Sequence, residues 1–192
     1  DLWRQMGNPG WAWEDVLPFF KQTEAHHNGA DEHHGSAGEW RVETARVRWE
    51  ILDAWRLAAA EVGIPPVDDF NRGDNEGCGY FEVNQKAGVR WNTAKAFLRP
   101  AAGRSNLEIW THAQALGLTF DGRRCTGVRL RREGRDLVLG ARREVILAAG
   151  AIGSPHLLQL SGIGPGDLLQ AHGLEVRHAL PGVGQNLQDH LQ

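Results

Sequence analysis

The residues best suited to chemistry begin where an apolar run, Val145-Ile146-Leu147, gives way to Ala148-Ala149-Gly150-Ala151-Ile152-Gly153 and then to Ser154-Pro155. A continuous apolar run reads as a strand buried on both faces of a parallel sheet, here over Glu144–Ala149. Small residues let a backbone or ligand approach the turn. Ser154-Pro155 is suited to capping and starting a helix that carries Leu157, Leu158 and Leu160 and ends at Ser161-Gly162. Strand, glycine turn and helix together suit the anionic part of a dinucleotide, which would lie near free amide N–H groups. The spacing is an A-x-G-x-x-G near-match, so tight packing of strand on helix is the other reading of these residues.

The run His26-His27-Asn28-Gly29-Ala30-Asp31-Glu32-His33-His34-Gly35 gathers imidazoles and carboxylates, both of which suit divalent metals. Adjacent histidines seldom face one ion, no i,i+4 pair is present, and loop formers fill the segment. A solvated loop is expected, and no metal site. Asp189-His190 has no Ser or Cys nucleophile context. Glu175 stands about where a ribose-binding acid would follow a dinucleotide turn, but that turn lacks its first glycine. Gly77-Cys78-Gly79 and Gly182-Val183-Gly184 open a G-x-G-x-x-G pattern without its third glycine. No catalytic residue is assigned.

Several function classes are disfavoured by composition. A net charge of −3 over 192 residues gives no electrostatic reason to expect nucleic acid or an anionic membrane as partner. No apolar run approaches bilayer length. Cys78 and Cys125 lie far apart without a C-x-x-C, so a disulfide framework or thiolate zinc site is not expected and a reducing, cytoplasmic setting is. The chain opens on Asp1, and Asp189-His190-Leu191-Gln192 falls inside a motif, so an internal piece of a longer protein is expected.

Around these residues the chain offers recognisable elements. Trp3, Trp11, Trp13, Phe19 and Phe20 surround the Asn8-Pro9-Gly10 turn and suit the anchoring of a lobe, with Asp15 as a helix cap and Pro18 in the first turn. Helical spacing of Val47, Ile51, Trp55, Ala58 and Val62 predicts a helix over Arg46–Val62 with this face in the core. Tyr80–Gln85 reads as a strand. Alternation from Leu107 to Leu139, with turns at Asp121-Gly122 and Glu133-Gly134, predicts an antiparallel meander. A short helix follows Pro165, and Leu174–His178 reads as an exposed strand.

Gly150-Ala151, Ser154-Pro155, Leu157-Leu158 and Ser161-Gly162-Ile163-Gly164 together resemble the second signature of the glucose-methanol-choline (GMC) oxidoreductases. The resemblance extends in order along nearly the whole chain. It includes Gly7–Trp11 with Asp15–Lys21, His34-Gly35 with Gly38, Asp69–Asn71, Arg90–Leu98, and Leu180–Gly184 through Asn186–His190. The implied fold is α/β with α+β character: an incomplete FAD-binding Rossmann-like domain with an antiparallel meander, plus part of a substrate-binding lobe. By this resemblance residues 1–105 are mainly substrate lobe and 106–192 part of the FAD domain, with interleaved boundaries.

The same resemblance implies FAD as cofactor and hydride transfer to it from a small-molecule alcohol, choline-like or another primary alcohol, with the electron acceptor left open. The backbone at Ala113 and Ala115 would meet the adenine of FAD, and Ala149 and Gly150 would lie against the cofactor. The bland reading of Ala113 and Ala115 is packing at a strand crossing. Arg90, Trp91 and Asn92 read equally as a helix-start cluster or as flavin neighbours, and His190 as a flavin neighbour. The family's catalytic histidine and its partner would lie beyond Gln192, leaving this stretch inactive alone. The alternatives are a non-catalytic nucleotide-binding module and a non-redox flavoprotein lyase on the same fold.

Overall fold

In the computed structural model, residues 1–190 are described; Leu191 and Gln192, the last of the Asp189–Gln192 motif, lie outside the described residues. The chain divides into two compact units, one over Asp1–Glu108 and the other from Ile109 onward. Both mix helices with small sheets.

The first unit opens with α1 (Leu2–Gln5) and α2 (Trp13–Thr23). Asp15 stabilises the start of α2 from inside the helix, its carboxylate accepting the Ala12 N–H at 3.1 Å. Next come β1 (Glu24–His26), β2 (Trp40–Thr44) and α3 (Glu50–Glu61). β3 (Glu82–Val83), β4 (Gln85–Lys86) and β5 (Val89–Arg90) follow, and a π-helical turn over Ala94–Leu98 runs into α4 (Arg99–Ala101). β1 lies parallel to β2, which is antiparallel to β3, while β4 and β5 form a separate two-stranded ribbon. The predicted strand over Tyr80–Gln85 is thus split between two sheets.

α3 departs from its prediction in two ways. It begins four residues later than Arg46, and its apolar face is not core: Ile51, Trp55 and Val62 are 69–76 % exposed. The 3.6-residue period was read correctly, but periodicity shows that a helix has an apolar face, not what covers it.

In the second unit the meander is three antiparallel strands, β6 (Ala113–Asp121), β7 (Arg124–Arg132) and β8 (Arg135–Gly140), in the order β6-β7-β8. Glu133 and Gly134 both take positive φ, 51° and 74°, which is the twist a tight hairpin needs. Leu107 and Ile109 lie outside these strands. α5 (Gly150–Leu160), β9 (Ile163–Gly164), α6 (Gly166–Ala171) and β10 (His178–Ala179) complete the unit. β10 pairs in parallel with β9, so the predicted strand over Leu174–His178 contributes only its last residue to a ladder.

The strand expected over Glu144–Ala149 is not formed. Among the described residues no strand pairs with it, and Ile146 is 79 % exposed. A parallel strand exists by virtue of its neighbours, and an apolar run carries no information about whether those neighbours are at hand.

Candidate functional site

α5 starts at Gly150, four residues before the expected Ser154. Gly150 takes φ +83°, and a side chain there would meet no atom within 4 Å, so the glycine answers a backbone demand beside open space. The Ser154 hydroxyl accepts the Ala149 N–H at 3.0 Å, closing the turn from inside the helix. Pro155 then sits within α5 instead of at its first position. The bend is packed closely on its inner side, where a Cβ on Gly153 would lie 3.0 Å from that of Ala149. Its outer side exposes Ala149 and Gly150. The opening N–H groups of an α-helix lack partners within the helix, so this end can receive a polar or anionic group.

Two side chains fasten α5 to its surroundings. Ser161, just past the helix and buried, donates its hydroxyl to the Leu157 carbonyl at 2.6 Å and accepts the Leu118 N–H of β6 at 2.8 Å. Gln159 donates to the Val183 carbonyl at 3.1 Å, drawing the Gly182-Val183-Gly184 loop onto the helix. A cavity of about 760 Å³ is lined by Ala151, Ile152 and Ser154 of α5 and by Gly182–Gln185 and Leu187. Part of the last block of the resemblance, around Gly182–Gly184, therefore shares a cavity wall with the first turns of α5.

Ala113 and Ala115 lie at the start of β6, paired with Arg132 and Leu130. β6 is the outer strand of its sheet, so one side of its backbone is free of ladder partners. The register shifts between Ala115 and Gly117, which places a bulge there. The Ala115 carbonyl accepts the Gln114 side-chain amide at 3.3 Å, an interaction a ligand could replace. Both alanines are half-buried. All four sequence-predicted cofactor residues thus belong to the second unit, two on the β6 edge and two at the mouth of α5.

His190 is exposed, and its N–H is bonded by the neighbouring Asp189 carboxylate at 2.8 Å, a local turn with no catalytic geometry. Glu175 is exposed and pairs with Arg177 at 3.6 Å. Asn92 caps the turn that follows it, its side-chain oxygen accepting the Lys95 N–H at 3.1 Å. The Trp91 ring N–H donates to the Glu39 carbonyl at 2.8 Å, so both residues have structural duties in the first unit.

The histidine-rich segment is not the solvated loop expected. His26 and His34 are 3 % and 2 % exposed, their rings stacked with centroids 4.1 Å apart. Glu82 of β3 meets His26 Nε2 at 2.8 Å and His27 Nε2 at 2.6 Å. His34 lies between two carboxylates, Nδ1 to Glu24 at 3.0 Å and Nε2 to Asp69 at 2.9 Å. Asp69 also takes Arg72 Nε at 3.0 Å, and Arg72 pairs with Asp31 as well. Burial pushes the Asp69 carboxyl up, but the Asn71 N–H, Arg72 and His34 outweigh it and hold it below the usual carboxylate range. The partners of these histidines come from positions 24, 69 and 82, which loop composition could not reveal. The one local sign was the Asp69-Phe70-Asn71 block, set apart by its resemblance alone.

A family model described as GMC oxidoreductase matches residues 1–192. The chain is 41 % identical over its whole length to an oxygen-dependent choline dehydrogenase of Sinorhizobium medicae, covering 35 % of that protein. It is 43 % identical over 196 aligned residues, again the whole chain, to an oxygen-dependent choline dehydrogenase of Pectobacterium atrosepticum, covering 35 % of it. Among solved structures, it resembles an FAD-dependent oxidoreductase from Chaetomium thermophilum at 32 % identity and TM-score 0.91, over 97 % of this chain and 35 % of that one. The chain spans about a third of the length of the curated relatives it matches.

Proposed function

The chain belongs to the GMC oxidoreductase family, and from that premise we propose that it is the central part of an FAD-dependent enzyme that oxidises the CH–OH group of a small alcohol. The second unit is the portion that holds the cofactor. Choline is the first substrate to test, because the curated relatives named above are choline dehydrogenases. No group in this chain is assigned the proton transfer.

The observation that carries the proposal is the open space at Gly150, next to a helix start whose small residues line a cavity of about 760 Å³. A bend filled by neighbouring side chains would leave no room for a dinucleotide. Here Ala149 and Gly150 offer close backbone approach, and the β6 edge at Ala113 and Ala115 offers main-chain donors and acceptors to an adenine. Main-chain contacts tolerate alanine side chains, which is why these positions need not be polar. Once bound, FAD supplies the hydride acceptor; the residues of this chain bind and orient it and exclude water from its adenine end.

The unpaired run Glu144–Ala149 fits the same reading, as a strand whose sheet neighbours come from the remaining two thirds of a relative-sized protein. The test is anaerobic mixing of the full-length, flavin-loaded protein with choline and with a series of primary alcohols. Bleaching of the oxidised flavin band by an alcohol is the expected result. An intact flavin band with every alcohol would overturn the oxidoreductase assignment and favour non-redox flavin chemistry.

A further inference from the structure

The buried histidine–carboxylate cluster of the first unit has no part in the flavin proposal. We infer that His26, His34 and Asp69 form a site for a divalent transition metal of the zinc class, with Glu82 and Glu24 as the outer groups that orient the two imidazoles. One ligand atom from each of His26, His34 and Asp69 lies within 4.8 Å of the others, a spacing an ion can draw together, and both histidines are buried.

The hydrogen bonds anchor one ring nitrogen of each imidazole on a glutamate. In the ligating tautomers His26 Nε2 and His34 Nδ1 carry the N–H, each donated to a carboxylate oxygen, of Glu82 at 2.8 Å and of Glu24 at 3.0 Å. Glu24 is itself held by the Gly35 N–H at 2.9 Å. His26 Nδ1 then carries a lone pair, which the Asn28 N–H approaches at 3.4 Å. His34 Nε2 points at Asp69 at 2.9 Å. Each imidazole thus has one nitrogen anchored on a glutamate, the arrangement by which proteins orient metal-bound histidine, while the other faces the Asn28 N–H in His26 and the proposed ligand Asp69 in His34. A cation bound here would lie between His34 Nε2 and Asp69, taking the place of their direct contact at 2.9 Å.

The surroundings favour a cation. Asp69 and Glu82 reach the wall of a cavity of about 540 Å³ whose lining also carries Asp68, Asp74 and Glu76, against one basic residue, Arg72. A wall with an excess of negative charge concentrates cations at the entrance. Arg72 stays on Asp69 as an outer partner of the carboxylate. Two imidazoles with one carboxylate suit zinc and its neighbours better than calcium or magnesium, which prefer all-oxygen sets.

The experiment is a titration of tag-free, chelator-treated protein with Zn²⁺ against a chromophoric competitor, with Co²⁺ as a spectroscopic probe. Expected are one tight equivalent of Zn²⁺ and a visible Co²⁺ band from low coordination. Binding should fall more than 100-fold in Asp69→Asn, by about 10–100-fold in Glu24→Gln, and remain unchanged in His33→Gln. Should Asp69→Asn fail to fold, Glu24→Gln and the wild-type Co²⁺ band decide the matter. Wild-type protein that takes up no Zn²⁺ more tightly than Glu24→Gln, or gives no visible Co²⁺ band, would overturn the site. Flavin absorbance has no part in these readouts, so failure here leaves the flavin proposal standing.

Discussion

The Ser161 hydroxyl accepts the Leu118 N–H at 2.8 Å and so ties the end of α5 to the middle of β6, across 43 positions of sequence. Its second bond, to the Leu157 carbonyl at 2.6 Å, satisfies the last turn of the helix. Through this one side chain the two elements proposed to hold FAD keep a fixed relation to each other.

Ser161→Ala should therefore cost about 1–3 kcal/mol of stability, because it leaves the half-buried Leu118 N–H without its partner. Chemical denaturation of the two proteins checks the figure. Flavin content should fall together with stability, since both elements must stay in register.

Gly127 on β7 tests the meander. A Cβ there would lie 2.2 Å from the Leu139 carbonyl oxygen, whereas one on Gly140 would come no nearer than 4.0 Å to any atom outside its neighbours. Gly127→Ala should lower stability by about 1–3 kcal/mol through overpacking, while Gly140→Ala should change it by no more than about 0.5 kcal/mol. Equal effects of the two substitutions would contradict the observed register.

Acid stability has a defined contributor in the same sheet. Arg131 bonds both oxygens of Asp136, at 2.6 and 3.0 Å, and this pairing holds the Asp136 carboxyl below the usual carboxylate value. A folded-state value lowered in this way contributes stability above the unfolded value and loses it as pH falls through the folded one. Asp136→Asn should thus lower stability slightly at neutral pH, by little because the pair is half exposed, leave it unchanged at acid pH where Asp136 is protonated, and so flatten the acid limb of the stability profile. Carboxyl chemical shifts followed through an NMR titration would show the lowered midpoint directly.

Local chemistry was legible in the sequence. The Asp121-Gly122 and Glu133-Gly134 turns need positive φ, and Gly122, Glu133 and Gly134 adopt it; alternation between those turns produced the meander. The signature residues around Gly150 likewise announced a small-residue bend leading into a helix. What escaped was whatever depends on distant partners. Val145-Ile146-Leu147 was apolar enough for a buried strand yet finds no strand beside it among the described residues. The face of α3 was correct in period and wrong in burial, as Trp55 shows at 70 % exposure. His34 looked like part of a polar loop because Glu24, Asp69 and Glu82 approach the cluster only through the fold. The start of α5 was misplaced for a smaller reason: Ser154 bonds backwards to the Ala149 N–H from within the helix, a role that composition does not distinguish from capping.

The position of the cofactor is the most direct test, and a structure of the full-length protein loaded with FAD measures it. The adenine should rest on the free edge of β6, within hydrogen-bond distance of the main chain at Ala113 or Ala115, with Ala149 and Gly150 in van der Waals contact with the dinucleotide. An adenine held elsewhere, with the space at Gly150 filled by protein side chains, would contradict it.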